Sequence, residues 1–153
     1  MSVASTLQRP TFVQELDDRF LALWPHRFDY LYASHPAPST KPQWQTETRH
    51  PLSDRLINQG TYLYGVRFGS LTQYAMLDID SGSPYHPRRD PLAISRICET
   101  LEPLDLVQYL TLTSSDSGGL HLYFPFETHL PSWKVGLAIT TLLENNGYKV
   151  MTG

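Results

Sequence analysis

The run Thr72-Gln73-Tyr74-Ala75-Met76-Leu77-Asp78-Ile79-Asp80 constrains this chain more than any other segment. Side chains of a strand alternate between faces, so Ala75, Leu77 and Ile79 point one way and Tyr74, Met76, Asp78 and Asp80 the other. A second run, Leu120 to Phe126, alternates in the same manner. Leu120, Leu122 and Phe124 share one face, while His121 and Tyr123 share the opposite one. Strands with one apolar and one polar face belong in an antiparallel sheet covered on a single side.

The remaining segments supply the cover and the connections. Residues 12–24 carry Phe12, Val13, Leu16, Phe20, Leu23 and Trp24 at helical spacing, with Thr11 and Gln14 in the form of a capping box and Pro25 as a stop. Residues 33–60, with Pro36, Pro38, Pro42 and Pro51, read as a long irregular connection pinned by Trp44. Thr61 to Phe68 reads as a strand, and Gly69-Ser70 as the turn of a hairpin leading into Thr72–Asp80. Asp90-Pro91 opens a helix whose apolar face is Ile94, Ile97, Cys98 and Leu101, ended by Pro103. Val107 to Thr113 is a further strand. Ser132 caps a last helix bearing Trp133, Leu137, Ile139, Leu142 and Leu143, which Asn145-Asn146-Gly147 stops. Tyr148 to Met151 begins one more strand. This order predicts an α+β fold with a mostly antiparallel sheet, in one domain over 1–153.

Composition narrows the function classes. With 153 residues, 41% hydrophobic and 18% charged, the chain has ordinary globular composition. Its formal net charge of -3 argues against a uniformly basic coat for nucleic acid, though not against a local basic groove. No run approaches the roughly 18 apolar residues of a membrane span. Met1 to Pro10 lacks the pattern of a secretory signal, so a cytoplasmic protein with no membrane partner is expected. The lone cysteine, Cys98, excludes an internal disulfide and a multi-cysteine zinc site. On the apolar face of a helix it reads as a small hydrophobe rather than a nucleophile.

Two pieces carry chemistry. Asp78 and Asp80 project from one strand face, and adjacent carboxylates repel unless a cation sits between them. Such hard oxygen ligands suit Mg²⁺ or Mn²⁺. Ser117-Gly118-Gly119 places small residues in succession, which lets backbone amides approach a phosphate. His121 follows just inside the next strand, where an imidazole can bind a phosphate oxygen, shuttle a proton or ligate a metal.

An apolar-strand Asp-x-Asp followed by a small-x-His on a second strand resembles the archaeo-eukaryotic primase superfamily of primases and primase-polymerases. Here the two motifs are Leu77-Asp78-Ile79-Asp80 and Gly119-Leu120-His121, and Tyr62 through Phe126 is similar to the family's catalytic core. The resemblance implies an RRM-like, mostly antiparallel sheet with flanking helices and a small N-terminal α/β part. It implies that Asp78 and Asp80 hold divalent metal, Mg²⁺ or Mn²⁺. It implies that His121 with Ser117, Gly118 and Gly119 holds the triphosphate of a nucleoside triphosphate. The reaction implied is template-directed nucleotidyl transfer on a DNA or RNA template and primer, with a helicase or replication protein as partner.

The family's third motif, an apolar residue followed by an acid on a later strand, has no good counterpart. Glu127 and Glu144 are the only acids after His121, and neither is well placed. The expectation is a chain that stops before the strand carrying the last carboxylate and that is inactive alone. The family's cysteine-bearing zinc elements are missing as well.

Arg67, Arg88 and Arg89 are candidate contacts to nucleic-acid phosphates. In a hairpin closed by Gly69-Ser70, Arg67 pairs with Thr72 and lies about 20 Å along the strand from Asp78. Arg88 and Arg89 precede a helix, where adjacent arginines are more often solvated charges. Two rival functions follow from the same residues. A metal-dependent nuclease or phosphoesterase would combine Asp78, Asp80, His86 and His121 in a mixed site. A non-catalytic nucleic-acid-binding replication module would stack bases on Tyr62, Tyr64, Tyr74 or Tyr123, unless those rings pack within the sheet.

Overall fold

A computed structural model describes residues 27–114 and 118–151. The helix expected over 12–24 and Ser117 of the glycine turn lie outside the described residues. The chain forms an α+β fold in two units, residues 1–67 and 68–153, each with a three-stranded antiparallel sheet.

The first unit contains β1 (Tyr30–Ala33), β2 (Gln45–Glu47), α1 (Asp54–Gln59) and β3 (Leu63–Gly65), with the sheet ordered β2-β1-β3. The segment 33–60, read from its prolines as irregular, thus carries a strand and a short helix. The helix has local signals at both ends. Ser53 accepts the Leu56 amide at 3.3 Å, and Gly60 closes the helix at φ +63°, a left-handed conformation that costs glycine little. Arg27 ties this segment back by donating to Asp54 Oδ1 at 2.9 Å, while its own carbonyl accepts from the Leu52 amide. Tyr30, Tyr32, Tyr62 and Tyr64 form a cluster of ring contacts with centroids 5.7 to 6.4 Å apart. Trp44 is about half exposed, its ring near Gly65, so it covers the sheet rather than sinking into a core.

The expected hairpin between Thr61–Phe68 and Thr72–Asp80 does not form. Leu63–Gly65 pairs with β1 instead, setting Tyr64 opposite Tyr32. The physical reason is at the supposed turn. The Gly69 carbonyl accepts the Ser132 hydroxyl at 2.6 Å, and the Ser70 carbonyl accepts the Ser132 amide at 2.9 Å. Ser132 therefore anchors the loop entering the next strand rather than capping its own helix.

The second unit contains β4 (Leu71–Ile79), α2 (Ala93–Leu101), a 3-10 turn (Glu102–Leu104), β5 (Leu110–Thr113), β6 (Leu120–Pro131) and α3 (Ser132–Asn145). Its sheet is ordered β4-β6-β5, so the long β6 is central. Thr72 is buried at a bulge in β4, where its hydroxyl donates to the Tyr74 carbonyl at 2.7 Å and accepts the Tyr74 amide at 3.2 Å. The core forms where Ala75, Ile79, Leu122 and Phe124 meet Ile97 and Leu101 of α2 and Ile139 and Leu143 of α3. The apolar alternation of both strands is thereby used up on one sheet face. Cys98 packs against this core, and burial pushes its thiol pKa up, as for a small hydrophobe.

The helix ends follow from local chemistry. The Asp90 carboxylate accepts the Leu92 amide before α2 starts. At the end of α3, the Gly147 amide reaches the Glu144 carbonyl and the Tyr148 amide reaches that of Leu143, a Schellman closure with Gly147 at φ +86°. Tyr148–Met151 is not a strand. Tyr148 instead packs its ring on Tyr85 at 5.2 Å, and the Tyr85 hydroxyl accepts the Lys149 amide at 2.9 Å.

Phe124 is fully buried at the centre of this core. Phe124→Ala is expected to cost about 3–5 kcal/mol, measured by urea denaturation.

Candidate functional site

The site is built at the end of the β4–β6 ladder, on the face opposite α2 and α3. Asp78 stands directly across from His121 in the register, and Met76 across from Tyr123. Directly opposed residues of an antiparallel pair share a face. The His121 Nε2 lies 3.5 Å from Asp78 Oδ1. The Asp78 side chain is 56% exposed and that of His121 26%, so the pair is open to solvent. On the other side of the ring, the Tyr123 hydroxyl is 3.3 Å from His121 Nδ1.

Burial first, and then the Asp78 charge, raise the Tyr123 pKa, so the phenol keeps its proton. The Tyr123 hydroxyl and His121 Nδ1 share a hydrogen bond whose direction follows the imidazole tautomer, and Nε2 on the far side of the ring faces the Asp78 carboxylate. The imidazole thus lies between two neighbours on its own sheet face, Tyr123 at Nδ1 and Asp78 beyond Nε2.

Asp80 falls one residue beyond β4, is exposed, and begins a turn in which its carbonyl accepts the Ser83 amide at 2.9 Å. It remains in sequence step with Asp78. Gly119 is packed beside it: a Cβ there would lie 3.8 Å from the Asp80 Cα, 3.4 Å from the Ile79 carbonyl oxygen and 2.5 Å from Ser114 Oγ. The glycine turn therefore sits against the end of the strand that carries the carboxylates. Gly118 has φ +81°, a left-handed backbone that favours glycine.

His86 was not among the main sequence-derived candidates, yet it organises this end of the sheet. It is buried, with 4% exposure. Its Nε2 is 2.9 Å from the Gly118 carbonyl and so donates to it, while Nδ1 accepts the Arg88 amide at 3.1 Å. Both ring nitrogens are occupied, which fixes the neutral tautomer with the proton on Nε2. The mixed metal site of Asp78, Asp80, His86 and His121 is corrected on this ground, because no lone pair of His86 remains for a cation. Among the described residues no group of three His, Cys, Asp or Glu side chains converges as a ready-made cation site. Glu127 lies six residues along β6 from His121, about 20 Å at strand rise, and Glu144 is on α3 beneath the opposite face.

The arginines separate. Arg88 lays its guanidinium against Gly118, where a Cβ would meet its terminal nitrogens at 2.8 and 3.2 Å. Arg89 is exposed and donates its amide to the His86 carbonyl. Arg67 belongs to the first unit and reaches Thr46 Oγ1 at 3.5 Å. The pairing expected for it is corrected too, because Thr72 lies opposite Leu130.

Tyr74 and Tyr123 are 5% and 6% exposed, and their rings pack 5.6 Å apart. They are sheet-packing residues and not open stacking platforms; Tyr62 is exposed at 41% and Tyr64 is half-buried. The signal that would have found His86 is the turn-rich run Ser81 to Asp90, in which a histidine between prolines has little reason to be buried unless the turn itself closes over the sheet end.

No protein-family model and no curated protein matches this chain. No helix among the described residues is long and apolar enough to cross a membrane.

Burial pushes the Tyr74 pKa above the ordinary phenol value, as it does that of Tyr123. Above pH about 10, the unfolded chain then releases phenolic protons that the folded chain keeps, so stability falls as pH rises. Alkaline difference spectroscopy is expected to show these two tyrosines titrating only with unfolding. Gly118→Ala is expected to destabilise by about 1–2 kcal/mol through its left-handed backbone, read by denaturant melting.

Proposed function

We propose that the second unit carries a metal-dependent nucleotidyl-transfer site of the primase-polymerase type, on an RRM-like sheet. The observation that carries this reading is the opposition of Asp78 and His121 on neighbouring strands, 3.5 Å apart and open to solvent, beside a glycine turn. A carboxylate and an imidazole on one exposed face, with Asp80 next along the chain, suit a ligand that brings both a hard cation and phosphate oxygens.

The donor set fits such a cation. Mg²⁺ commonly takes only one or two protein carboxylates and fills its shell with water and substrate phosphate. Asp78 and Asp80 would hold it, and the cation when bound would stabilise the entering and leaving oxygens of the displacement. His121, in contact with Tyr123, would offer an imidazole nitrogen to a phosphate oxygen. At the glycine turn a polyphosphate would meet the Arg88 guanidinium beside Gly118 and the Ser114 hydroxyl beside Gly119. In the reaction, a 3′-hydroxyl attacks the α-phosphorus and releases its proton to water, a new O–P bond forms, the bond from the α-phosphorus to the bridging oxygen breaks and pyrophosphate leaves. The protein's contribution is positioning and charge compensation.

One observation favours a second reading. The solvent-exposed Asp78 and His121 beside the glycine turn equally suit a nucleotide- or nucleic-acid-binding module without turnover.

The test is extension of a labelled primer on a template with Mn²⁺ and nucleoside triphosphates. Extension by the wild type, reduced about a hundredfold or more in Asp78→Ala and abolished by chelation, is the expected result. Extension that survives Asp78→Ala would refute the assignment. Nucleotide binding without extension selects the second reading, and cleavage of the labelled strand without triphosphates selects a nuclease.

A further inference from the structure

We propose that Arg88 is an anion-binding residue for the polyphosphate end of the ligand, held over the glycine turn by His86. The inference rests on the nucleotidyl-transfer reading for the identity of the ligand, and on independent geometry for the residues.

Arg88 is exposed, and a surface arginine ordinarily samples many rotamers at a large entropic cost to fix. Here the backbone is fixed first. The Arg88 amide is bound by His86 Nδ1 at 3.1 Å, and the same ring's Nε2 is bound to the Gly118 carbonyl at 2.9 Å. One buried imidazole therefore joins the loop that bears Arg88 to the turn that lies under its guanidinium. The guanidinium then occupies the space that any side chain at Gly118 would fill, with Nη2 2.8 Å and Cζ 3.2 Å from the position of a Cβ. Glycine at 118 supplies the left-handed backbone at φ +81° and leaves the guanidinium room for this close approach.

The placement suits an elongated anion. Gly118 is three residues from His121, about 10 Å along an extended chain. One end of the ligand would meet Asp78, Asp80 and His121, and the other the guanidinium. Arg suits this position because its planar fork matches phosphate oxygens two at a time. His86 touches no part of the ligand in this arrangement; it is a positioning residue.

Calorimetric titration of the full chain with inorganic tripolyphosphate in the presence of Mn²⁺ tests this without requiring turnover. Arg88→Ala is expected to weaken binding about tenfold or more, the loss of a charge-assisted hydrogen bond. Arg88→Lys is expected to recover part of that loss, and Lys134→Ala, which removes an equal charge from α3, to stay within about twofold of wild type. His86→Gln retains a donor and an acceptor and guards against loss of folding. It is expected to weaken binding in the wild-type background and to have no further effect in Arg88→Ala, because neighbours acting as one unit are non-additive. Wild-type affinity in Arg88→Ala, or no tripolyphosphate binding by the wild type, would overturn the proposal. An equal His86→Gln effect in both backgrounds would overturn the part assigned to His86. Primer extension judges the nucleotidyl-transfer reading separately. A chain that binds tripolyphosphate through Arg88 but does not extend primers keeps this inference and loses that reading. A chain that extends primers with Arg88→Ala unaffected in binding does the reverse.

Discussion

The antiparallel pairing of β4 with β6 is the constraint on which the second unit depends. In this register Ile79 meets Leu120, Leu77 meets Leu122 and Ala75 meets Phe124, all on the face that α2 and α3 cover. The same register sets Asp78 against His121 on the opposite face. A slip of one residue would turn the apolar set to solvent and bury the charges. The energetic preference that selects the core register therefore also assembles the polar pair. The site needs no separate device to bring its two principal side chains together.

What surrounds that pair is held by polar contacts as well as by ring packing. The turn from Asp80 to Asp90 closes over the end of the sheet through a buried histidine whose two nitrogens are both engaged. Gly118 is needed there for its left-handed backbone, and Gly119 because the Ser114 hydroxyl approaches too closely to admit a side chain. Ser132 performs a similar task at the other end of β4, with its hydroxyl and amide taking the carbonyls of Gly69 and Ser70. Each anchor joins segments far apart in sequence, so each becomes visible only once the chain has folded.

Those anchors explain where sequence reasoning and structure part company. Alternation located Thr72–Asp80 and Leu120–Phe126 as strands and assigned their faces, because a half-buried strand writes its two environments directly into every second residue. Helical spacing likewise located the apolar face of α2, and Asn146-Gly147 its companion helix's end. The Gly69-Ser70 hairpin failed because turn propensity is local, whereas the carbonyls at that turn are claimed by Ser132, more than sixty residues away. β1, β2 and α1 were missed since strands of three or four residues give too little periodicity to read.

The sequence by itself determined the alternation of β4 and β6, the apolar face of α2, the Schellman stop of α3 and the candidacy of Asp78, Asp80 and His121. These are properties of spacing within one segment, and local backbone geometry converts spacing into facing. Only the tertiary structure decided that Asp78 and His121 stand opposite one another, that His86 is a buried support with no lone pair left for a metal, that Arg88 rests on Gly118 and that Arg67 pairs elsewhere. Those outcomes turn on which distant donors and acceptors satisfy each other, and a buried polar group selects its partner from the whole fold, not from its neighbours in the chain.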